Sequence, residues 1–342
     1  MSDSSFGGRA TLSSVAERAG VSKQTVSNVL NSPHLVRQDT ARKVAAAIEE
    51  MGYRPHRAAQ QLRTRRSNLL GLRVVRAASG DQVFDRLLHA LTEAADDRGY
   101  RLMLYTAADD SAEIDAYAEL NDRWDIDGVV LTSTHPGDRR TAYLSEIGLP
   151  FVSFGRPWDG VDNHAWVDVD GRAGTHDATA HLIAAGHRRI GFLGWSQSAG
   201  VGADRMSGWA AALAEAGLGS GARRFCVNDI EAGRTAAAQL LDAADPTAIV
   251  CVSDLIGIGA LAELASRGRV AGTDVAVIGF DDTDLAAVAG LASVAQPLTD
   301  VAGECIRLVL AGMNDRTIEQ VLLTPTLTLR RSAGRSRPPP GT

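Results

Sequence analysis

The chain has 342 residues, enough for two or three packed units, and its 45% hydrophobic and 22% charged content is ordinary for a globular protein. It contains no apolar run of about 18 residues, its first ten residues lack the features of a secretory signal, and its three cysteines form no metal or redox motif. The net charge of −6 combines a basic start, with 11 Lys and Arg against 5 Asp and Glu in residues 1–66, and an acidic remainder, with 24 against 36. These features exclude a membrane-spanning or disulfide-stabilised secreted protein. They indicate a cytoplasmic chain whose first 66 residues meet an anionic partner, with a solvated charged surface as the alternative.

Three helices are predicted in the first 54 residues, from apolar residues that recur at spacings of three and four. Gly20 and Gly52 are expected to end the first and third helices, and the third spans about residues 40–51. The expected N-caps are Thr11 for the first helix, Ser22 for the second, and Asp39 or Thr40 for the third.

The short connection around Gly20 gives the first two helices the layout of a helix-turn-helix motif. Polar side chains near the start of the second helix are the candidates for base contacts: Lys23, Gln24, Ser27 and Asn28. Gln and Asn can each hold adenine through N6 and N7, whereas Lys favours guanine or a phosphate. The pattern therefore predicts a DNA-reading helix, with an ordinary helical hairpin as the alternative.

After residue 66, short apolar runs alternate with amphipathic segments. The runs include LLGLRVV, DGVVL, PFVSF, RRIGFLGW, TAIVCVSD and DVAVIGFDD, and segments such as FDRLLHALTEAADDRG separate them. Such alternation predicts an α/β architecture of parallel sheets with helices on both faces. The number of strands fits two doubly wound lobes better than one large sheet. The tail, residues 332–342, is rich in Pro, Gly and Arg and is predicted to be disordered.

Several stretches resemble the LacI/GalR family of bacterial transcription regulators. TLSSVAERAGVSKQTVSNVLN, followed by TARKVAAAIEEMGYRPHRAAQQL, is similar to the DNA-binding end of the family, and WVDVDGRAGTHDATAHLIAAGHRRIGFLG, RMSGWAAALAEAG and VAVIGFDD are similar to its effector domain. The combination of FGRPW with WVDVDG further resembles actinobacterial members that sense oligosaccharides of the cellobiose or maltose type. The resemblance extends to about residue 331, so it covers nearly the whole chain.

This resemblance implies an all-α helix-turn-helix head over residues 1–54, a hinge helix with its linker over residues 55–67, and a body over residues 68–331. The body is expected to have two lobes, like a periplasmic sugar-binding protein, joined by three crossovers. The implied limits are about 68–167 and 297–323 for lobe 1, and about 168–296 and 324–331 for lobe 2.

The resemblance also implies DNA contacts outside the second helix. In the family, a hinge helix forms when two protomers meet on DNA, and its leucine enters the minor groove and kinks the operator. That leucine corresponds to Leu62, with Ala59 and Gln61 beside it in the groove. Phosphate contacts are expected from Thr25, Arg57 and Arg63. Asn28 departs from the family, which often has Arg at this position, so the shorter side chain predicts a different operator half-site.

An effector pocket follows from the same resemblance. Arg205 matches an arginine that binds ligand oxygens, and Asp281 matches an acidic residue that accepts sugar hydroxyls. Asp254 matches a residue at the pocket edge, and Phe84, just before the first helix of the body, matches an aromatic at the cleft entrance. Arg205 and Asp281 are expected to face each other across the cleft, an arrangement that suits a neutral polyol. Other candidates at strand ends are Arg156, Trp158, Trp195 and Ser253.

The tryptophans fall into two groups. Trp158 and Trp195 follow predicted strands, so they are candidates for stacking on a sugar ring, with packing between the lobes or under a loop as the alternative. Trp166 and Trp209 lie within strand-like and helical runs and are predicted to be core residues.

The leading interpretation is a ligand-responsive transcription regulator that acts as a homodimer and represses sugar-utilisation genes until a small sugar binds between its lobes. The alternative is a sugar-binding or transport-type component without DNA-dependent regulation. An enzyme is not expected, because the chain has no GxSxG, HExxH or P-loop motif, and no cofactor or metal is expected.

Overall fold

The computed structural model describes residues 10–53, 66–74, 82–124, 126–160, 163–195, 200–315 and 318–334. The chain divides into two units, residues 1–67 and residues 68–342. Below, the head means the described residues 10–53 and the body means those from 68 to 334. Residues 54–65, which hold most of the predicted hinge helix, lie outside the described residues.

The head is a bundle of three helices. Its elements are α1 (Leu12–Ala19), α2 (Lys23–Asn31), a 3₁₀ turn (Pro33–Leu35) and α3 (Gln38–Met51). The residues at the centre of its core are Val15, Ala16, Val26, Val44 and Ala47. All of them are at most 4% exposed, so the predicted helical periodicity correctly identified the buried face.

Two of the three predicted helix caps are confirmed. Thr11 accepts a hydrogen bond from Ser14 N and Ser22 accepts one from Thr25 N, and Gly20 ends α1 in the left-handed conformation with φ of 66°. The third prediction is wrong, because α3 begins at Gln38 after Arg37, which makes no side-chain cap bond. Asp39 lies inside the first turn, where its carboxylate accepts a hydrogen bond from Arg42 at 3.1 Å and complements the helix dipole.

The body contains two six-stranded sheets. The strands are β1 (Leu69–Arg73), β2 (Arg101–Tyr105), β3 (Gly128–Leu131), β4 (Phe151–Phe154), β5 (Trp166–Val169), β6 (Ile190–Trp195), β7 (Arg223–Cys226), β8 (Ala248–Cys251), β9 (Ala276–Asp281), β10 (Ala292–Ala295), β11 (Gln320–Leu323) and β12 (Thr326–Thr328). The first sheet has the order β11-β5-β4-β3-β1-β2 and the second has the order β12-β10-β9-β8-β6-β7.

Helices connect most of these strands. They are α4 (Gln82–Asp97), α5 (Asp110–Trp124), α6 (Arg139–Glu146), α7 (Gly171–Ala184), α8 (Val201–Glu215), α9 (Ile230–Ala244), α10 (Asp254–Ser266), α11 (Asp284–Ala289) and α12 (Leu298–Asp315). A 3₁₀ turn, Arg331–Ala333, follows β12.

The chain passes between the sheets three times: from β5 to α7, from β10 to α12, and from β11 to β12. Each sheet with its helices forms one lobe, so the predicted α/β body of two doubly wound lobes is confirmed. The exception to parallel pairing is β12, which runs antiparallel to β10. It does so because the chain enters β12 directly from β11 of the other sheet, without a crossover helix.

Two predicted limits need correction. The boundary expected after residue 167 falls inside β5, whose pairing with β4 and β11 keeps residues 166–169 in lobe 1. The tail expected to be disordered from residue 332 starts with ordered structure, since Ser332 is 1% exposed. Its hydroxyl donates to Val277 O at 2.6 Å and accepts from Ala292 N at 2.7 Å, which attaches it to β9 and β10.

The predicted core tryptophans are buried. Trp209 is 1% exposed and its ring lies 5.3 Å from that of Phe192, and Trp166 is 8% exposed. Large aromatic side chains at these positions contribute roughly 1.5–3 kcal/mol each through apolar burial. They stabilise the lobes and leave the cleft between them to other residues.

Candidate DNA-contact helix and effector cleft

The second helix of the head presents its polar residues away from the core. Val26 is fully buried, whereas Lys23 and Gln24 are exposed and Thr25, Ser27 and Asn28 are partly exposed. The Ser22 cap fixes the start of this helix, so the polar residues lie on its first two turns. A helix that enters the major groove reads bases from such turns.

Two of the candidate base contacts are joined. Gln24 Nε2 donates a hydrogen bond to Asn28 Oδ1 at 3.0 Å, as one-turn spacing allows. Each amide keeps further donor and acceptor sites for a base edge. The Thr25 hydroxyl, predicted to meet a phosphate, lies 2.9 Å from the Ser22 hydroxyl at the cap.

The predicted hinge residues and two of the three predicted phosphate contacts lie outside the described residues. The roles of these residues stay predictions: Ala59, Gln61, Leu62, Arg57 and Arg63.

A cavity of about 220 Å³ lies between the two lobes of the body, at the carboxyl ends of both sheets. Lobe 1 lines it with the first turn of α4, the ends of β4 and β5, and the loops after β3 and β4. Lobe 2 lines it with the ends of β6 and β9, the residues after β7 and β10, and the first turns of α8. The lining residues are Val83, Ser133, Thr134, Phe154, Gly155, Trp158, Asp168, Val169, Trp195, Val201, Asp204, Arg205, Asn228, Asp281 and Gln296. Ligands of doubly wound sheets bind at this edge.

Arg205 and Asp281 form the polar floor of the cleft in lobe 2. The Arg205 guanidinium is 3.6 Å from the ring centroid of Phe280, and its Nη1 donates to Val252 O at 2.7 Å and to Asp281 Oδ1 at 3.3 Å. Gln296 Nε2 donates to the same Asp281 oxygen at 2.7 Å. Burial lowers the pKa of Arg205, and the charge of Asp281 opposes that shift.

This arrangement corrects the prediction that Arg205 and Asp281 face each other across the cleft. Both belong to lobe 2, and they are in direct contact, with Arg205 Nη1 3.3 Å from Asp281 Oδ1. The Arg205 Nε–H has no acceptor among the described residues, but it is sealed from solvent. A hydroxyl, which both donates and accepts, suits the donor and acceptor groups that this pair combines.

Arg156 lies behind the cleft wall and connects the lobes. Its Nε donates to Asp168 Oδ2 at 2.6 Å, and its Nη2 lies 3.6 Å from Asp204 Oδ2 of lobe 2. Burial raises the pKa of Asp204, and the Arg156 charge opposes this. Arg156 therefore orients two carboxylates that line the cleft, although it was predicted as a lining residue itself.

The two candidate stacking tryptophans both line the cleft, one from each lobe. A Cβ added at Gly200 would lie 3.3–3.4 Å from three atoms of the Trp158 pyrrole ring, so the absence of a side chain lets the indole pack against the start of α8. The Arg156 guanidinium is 5.2 Å from the Trp158 ring, and that of Arg205 is 5.5 Å from the Trp195 ring. Trp158 thus also takes the interlobe packing position that was left open as its alternative.

Besides Arg156, three more predicted pocket residues do not line the cavity. Phe84 lies within the first turn of α4 and not before it, and its neighbour Val83 takes the lining position. Ser253 is fully buried and donates to Asn228 Oδ1 at 2.6 Å.

Asp254 is the third of these residues, 1% exposed and beneath the cleft. It accepts hydrogen bonds from Thr283 N, Thr283 Oγ1 and Ser293 Oγ at 2.6–2.9 Å, so it joins α10 to the ends of β9 and β10. Burial raises the pKa of its carboxyl, against those hydrogen bonds.

Several lining residues were missed by the sequence interpretation: Ser133, Thr134, Asp168, Asp204, Asn228 and Gln296. Most of them end a strand or follow one by a few residues, so the rule that selected Trp158 and Trp195 could have found them. Asp204 had no such signal, because it precedes Arg205 inside a helix.

A helix-turn-helix head joined to a two-lobed body with a polar, indole-lined cleft defines a ligand-responsive DNA-binding regulator. Residues 71–329 match the family model of periplasmic binding proteins and the sugar binding domain of the LacI family, and residues 11–56 match that of bacterial regulatory proteins of the lacI family. The chain belongs to the LacI family of bacterial transcription regulators, as the sequence motifs predicted.

Named relatives agree with this assignment. The chain is 34% identical over 338 residues to the HTH-type transcriptional regulator CelR of Thermobifida fusca, covering 95% of this chain and 98% of the relative. The solved CelR–cellobiose complex is 32% identical, with a TM-score of 0.71 over 95% of this chain and 100% of that one. The Lac repressor dimer bound to operator and the anti-inducer ONPF is 25% identical, with a TM-score of 0.82 over 96% of this chain and 100% of that one.

These relatives confirm two further predictions. The narrower resemblance to cellobiose-type regulators is supported by the CelR match, and the chain is a transcription regulator and not an enzyme. Among the described residues, no helix combines the length and apolar character that crossing a membrane requires.

Proposed function

We propose that this regulator is a cytoplasmic, homodimeric repressor of sugar-utilisation genes, released from its operator when a small sugar or oligosaccharide binds in the cleft. The observation that supports this best is the cleft itself, where Arg205, Asp281 and Gln296 form a connected polar floor beside Trp195, with Trp158 opposite. Polar groups that fix hydroxyls beside flat aromatic faces suit a pyranose ring.

Cellobiose is the first effector to test, because the CelR structure contains it. A ligand that binds only the folded state raises its melting temperature. A thermal-shift panel of mono- and disaccharides with the full chain tests the proposal, and a panel without any shift would reject a sugar effector.

DNA contacts are proposed for Lys23, Gln24, Ser27 and Asn28 in the major groove, for Ala59, Gln61 and Leu62 in the minor groove, and for Thr25, Arg57 and Arg63 on phosphates. The exposed polar face of α2 supports the first group. The test is a binding assay on a pseudo-palindromic operator with and without the sugar. Leu62→Ala should weaken specific operator binding with little change in sugar binding, and unchanged operator affinity would reject the hinge assignment.

Dimerisation is proposed through apolar surface that the described chain leaves uncovered. On α11, Leu285 is 44% exposed and Val288 is 85% exposed, and their spacing of three residues puts them on the same face of the helix. Light scattering of the wild type and of Val288→Asp would test this, with a shift toward monomer expected for the variant.

A further inference from the structure

The loop of residues 132–138, between β3 and α6, forms part of the lobe 1 wall of the cleft. Ser133 and Thr134 line the cavity from this loop. Ser133 has φ of 59°, in the left-handed region that a residue with a side chain rarely adopts. Something outside the loop must hold this conformation, because it is unfavourable for serine by itself.

Thr134 transmits the position of the loop to the rest of the wall. Its hydroxyl donates to Arg156 O at 3.2 Å, and it lies so close to Gly155 that a Cβ there would collide with it. Arg156 in turn holds Asp168 and approaches Asp204. A shift of the loop therefore moves the carboxylates that line the cleft.

Arg140 attaches both ends of this loop from below. It is 1% exposed, and its Nη2 donates to Ser133 O at 3.1 Å and to Asp138 Oδ2 at 2.7 Å. Its Nε donates to Asp138 Oδ1 at 2.9 Å, and that oxygen also accepts from Arg140 N as the cap of α6. The planar fork of one guanidinium thus fixes the two ends relative to each other.

Glu113 of α5 holds Arg140 in place. It is 1% exposed and accepts from Arg140 Nη1 at 2.7 Å, Arg73 Nη1 at 2.5 Å, Tyr117 OH at 2.7 Å and Tyr105 OH at 3.1 Å. Every one of these partners is a side chain of lobe 1 outside the cleft lining. Two arginines and two tyrosine hydroxyls hold this buried carboxylate in place, since moving it would weaken several of these hydrogen bonds at once.

We propose that Arg140, held by Glu113, is a positioning residue for the effector cleft: it sets effector affinity through the loop of residues 132–138 without touching the ligand. This inference rests on the proposed function, in which a sugar occupies the cleft.

The test is Arg140→Lys in the full chain, with cellobiose binding measured by calorimetry and operator binding measured separately. Lysine keeps the positive charge but lacks the planar guanidinium, so it cannot donate to both Ser133 O and the Asp138 carboxylate. The cellobiose Kd should rise about tenfold or more, while operator affinity without sugar changes little. Glu113→Gln, which keeps the side-chain shape, should give a smaller change in the same direction.

Arg267→Lys is the matched control. Arg267 also binds two carboxylates, Glu263 and Asp242, and one backbone carbonyl, Ala238 O, but that carbonyl belongs to α9 and not to a cleft loop. If Arg140 contributes to stability alone, both variants should lower the melting temperature and leave the cellobiose Kd unchanged. Unchanged Kd in folded Arg140→Lys and Glu113→Gln would overturn the proposal.

A double variant gives an independent readout. Glycine adopts positive φ without strain, so Ser133→Gly lets the loop keep its conformation with less help from Arg140. The loss of affinity from Arg140→Lys should therefore be smaller in the Ser133→Gly background than in the wild type, and equal losses in both backgrounds would count against positioning. If the wild type binds no cellobiose, the same measurements use the sugar that the thermal-shift panel identifies. If the panel finds no sugar, the proposed effector function fails, and the positioning role falls with it.

Discussion

In the head, the candidate base contacts lie within six consecutive residues, Lys23 to Asn28, on one helix. In the body, the cleft draws residues from Val83 to Gln296, on elements of two sheets and two lobes. The head surface is therefore defined by local geometry, whereas the cleft exists only after distant segments meet. A single substitution in α2 should change one contact, and a substitution in the cleft network should change several.

The largest expected effect is on the cleft side of this comparison. Arg205→Ala removes the guanidinium and leaves Asp281 with Gln296 as its remaining partner described above. Loss of a charge-assisted contact costs about 3 kcal/mol, so sugar affinity should fall by roughly 100-fold and the sugar should no longer release DNA. Calorimetry and operator release assays measure both, and a variant that releases DNA at wild-type sugar concentrations would contradict the assignment.

A second prediction distinguishes residues of the body that line the cleft from residues that support it from beneath. Asp254→Ala leaves the donors of Thr283 and Ser293 buried without their acceptor. The free energy of unfolding should fall by about 2–3 kcal/mol, and a denaturant titration of the variant and the wild type measures this difference. Sugar affinity of the folded variant should change much less than in Arg205→Ala, and a loss as large as that one would place Asp254 in contact with the ligand.

The head should respond one contact at a time. Asn28→Ala removes one amide from the α2 surface and frees Gln24 Nε2 from its bond. Operator affinity should fall by about 1–2 kcal/mol, with sugar binding by the body unchanged. Asn28→Arg should change which half-site is preferred, measured by selection from a randomised operator library. The same half-site preference for both proteins would mean that residue 28 does not read bases.

The smallest effect is expected at a surface pair of the body. His176 Nε2 lies 2.9 Å from Glu215 Oε2, joining α7 to α8, and this hydrogen bond raises the pKa of His176 above 6.5. A raised pKa means that the pair stabilises the folded state below about pH 6.5 and that the contribution is lost as pH rises through the folded value. His176→Gln should lower the melting temperature slightly at pH 5.5 and leave it unchanged at pH 8. An equal change in melting temperature at both pH values would exclude an effect of His176 protonation.

The fold was largely predictable from the chain. Apolar spacing in the head identified Val15, Val26 and Val44 as core, and alternation of apolar runs and amphipathic segments identified a two-lobed α/β body. These patterns are local or periodic, so they survive in a sequence without coordinates. The third helix cap was missed, because Asp39 binds Arg42 within the helix and not a backbone amide.

The candidate site was predicted in part. Arg205 and Asp281 were placed at the cleft by the family pattern, and Trp158 and Trp195 by their positions after predicted strands. All four line the cavity. Asp254 was placed there too, yet it lies beneath the cleft, since a sequence motif gives position along the chain and not the direction of a side chain. Asp204 was missed, because it lies inside a helix and its partner Arg156 is distant in sequence, whereas Asp168, near the end of β5, could have been found by the strand-end rule.

The sequence by itself determined the family, the layout of head and body, and the residues exposed on the recognition helix, because each depends on spacing within one segment. Only the tertiary structure decided which polar residues meet between the lobes: the contact of Arg205 with Asp281, the bridge from Arg156 to Asp204, and the attachment of Ser133 by Arg140. Each of the three joins different elements of the fold, and two of them join residues about 50 or more positions apart in sequence, so packing of the sheets and helices had to bring them together.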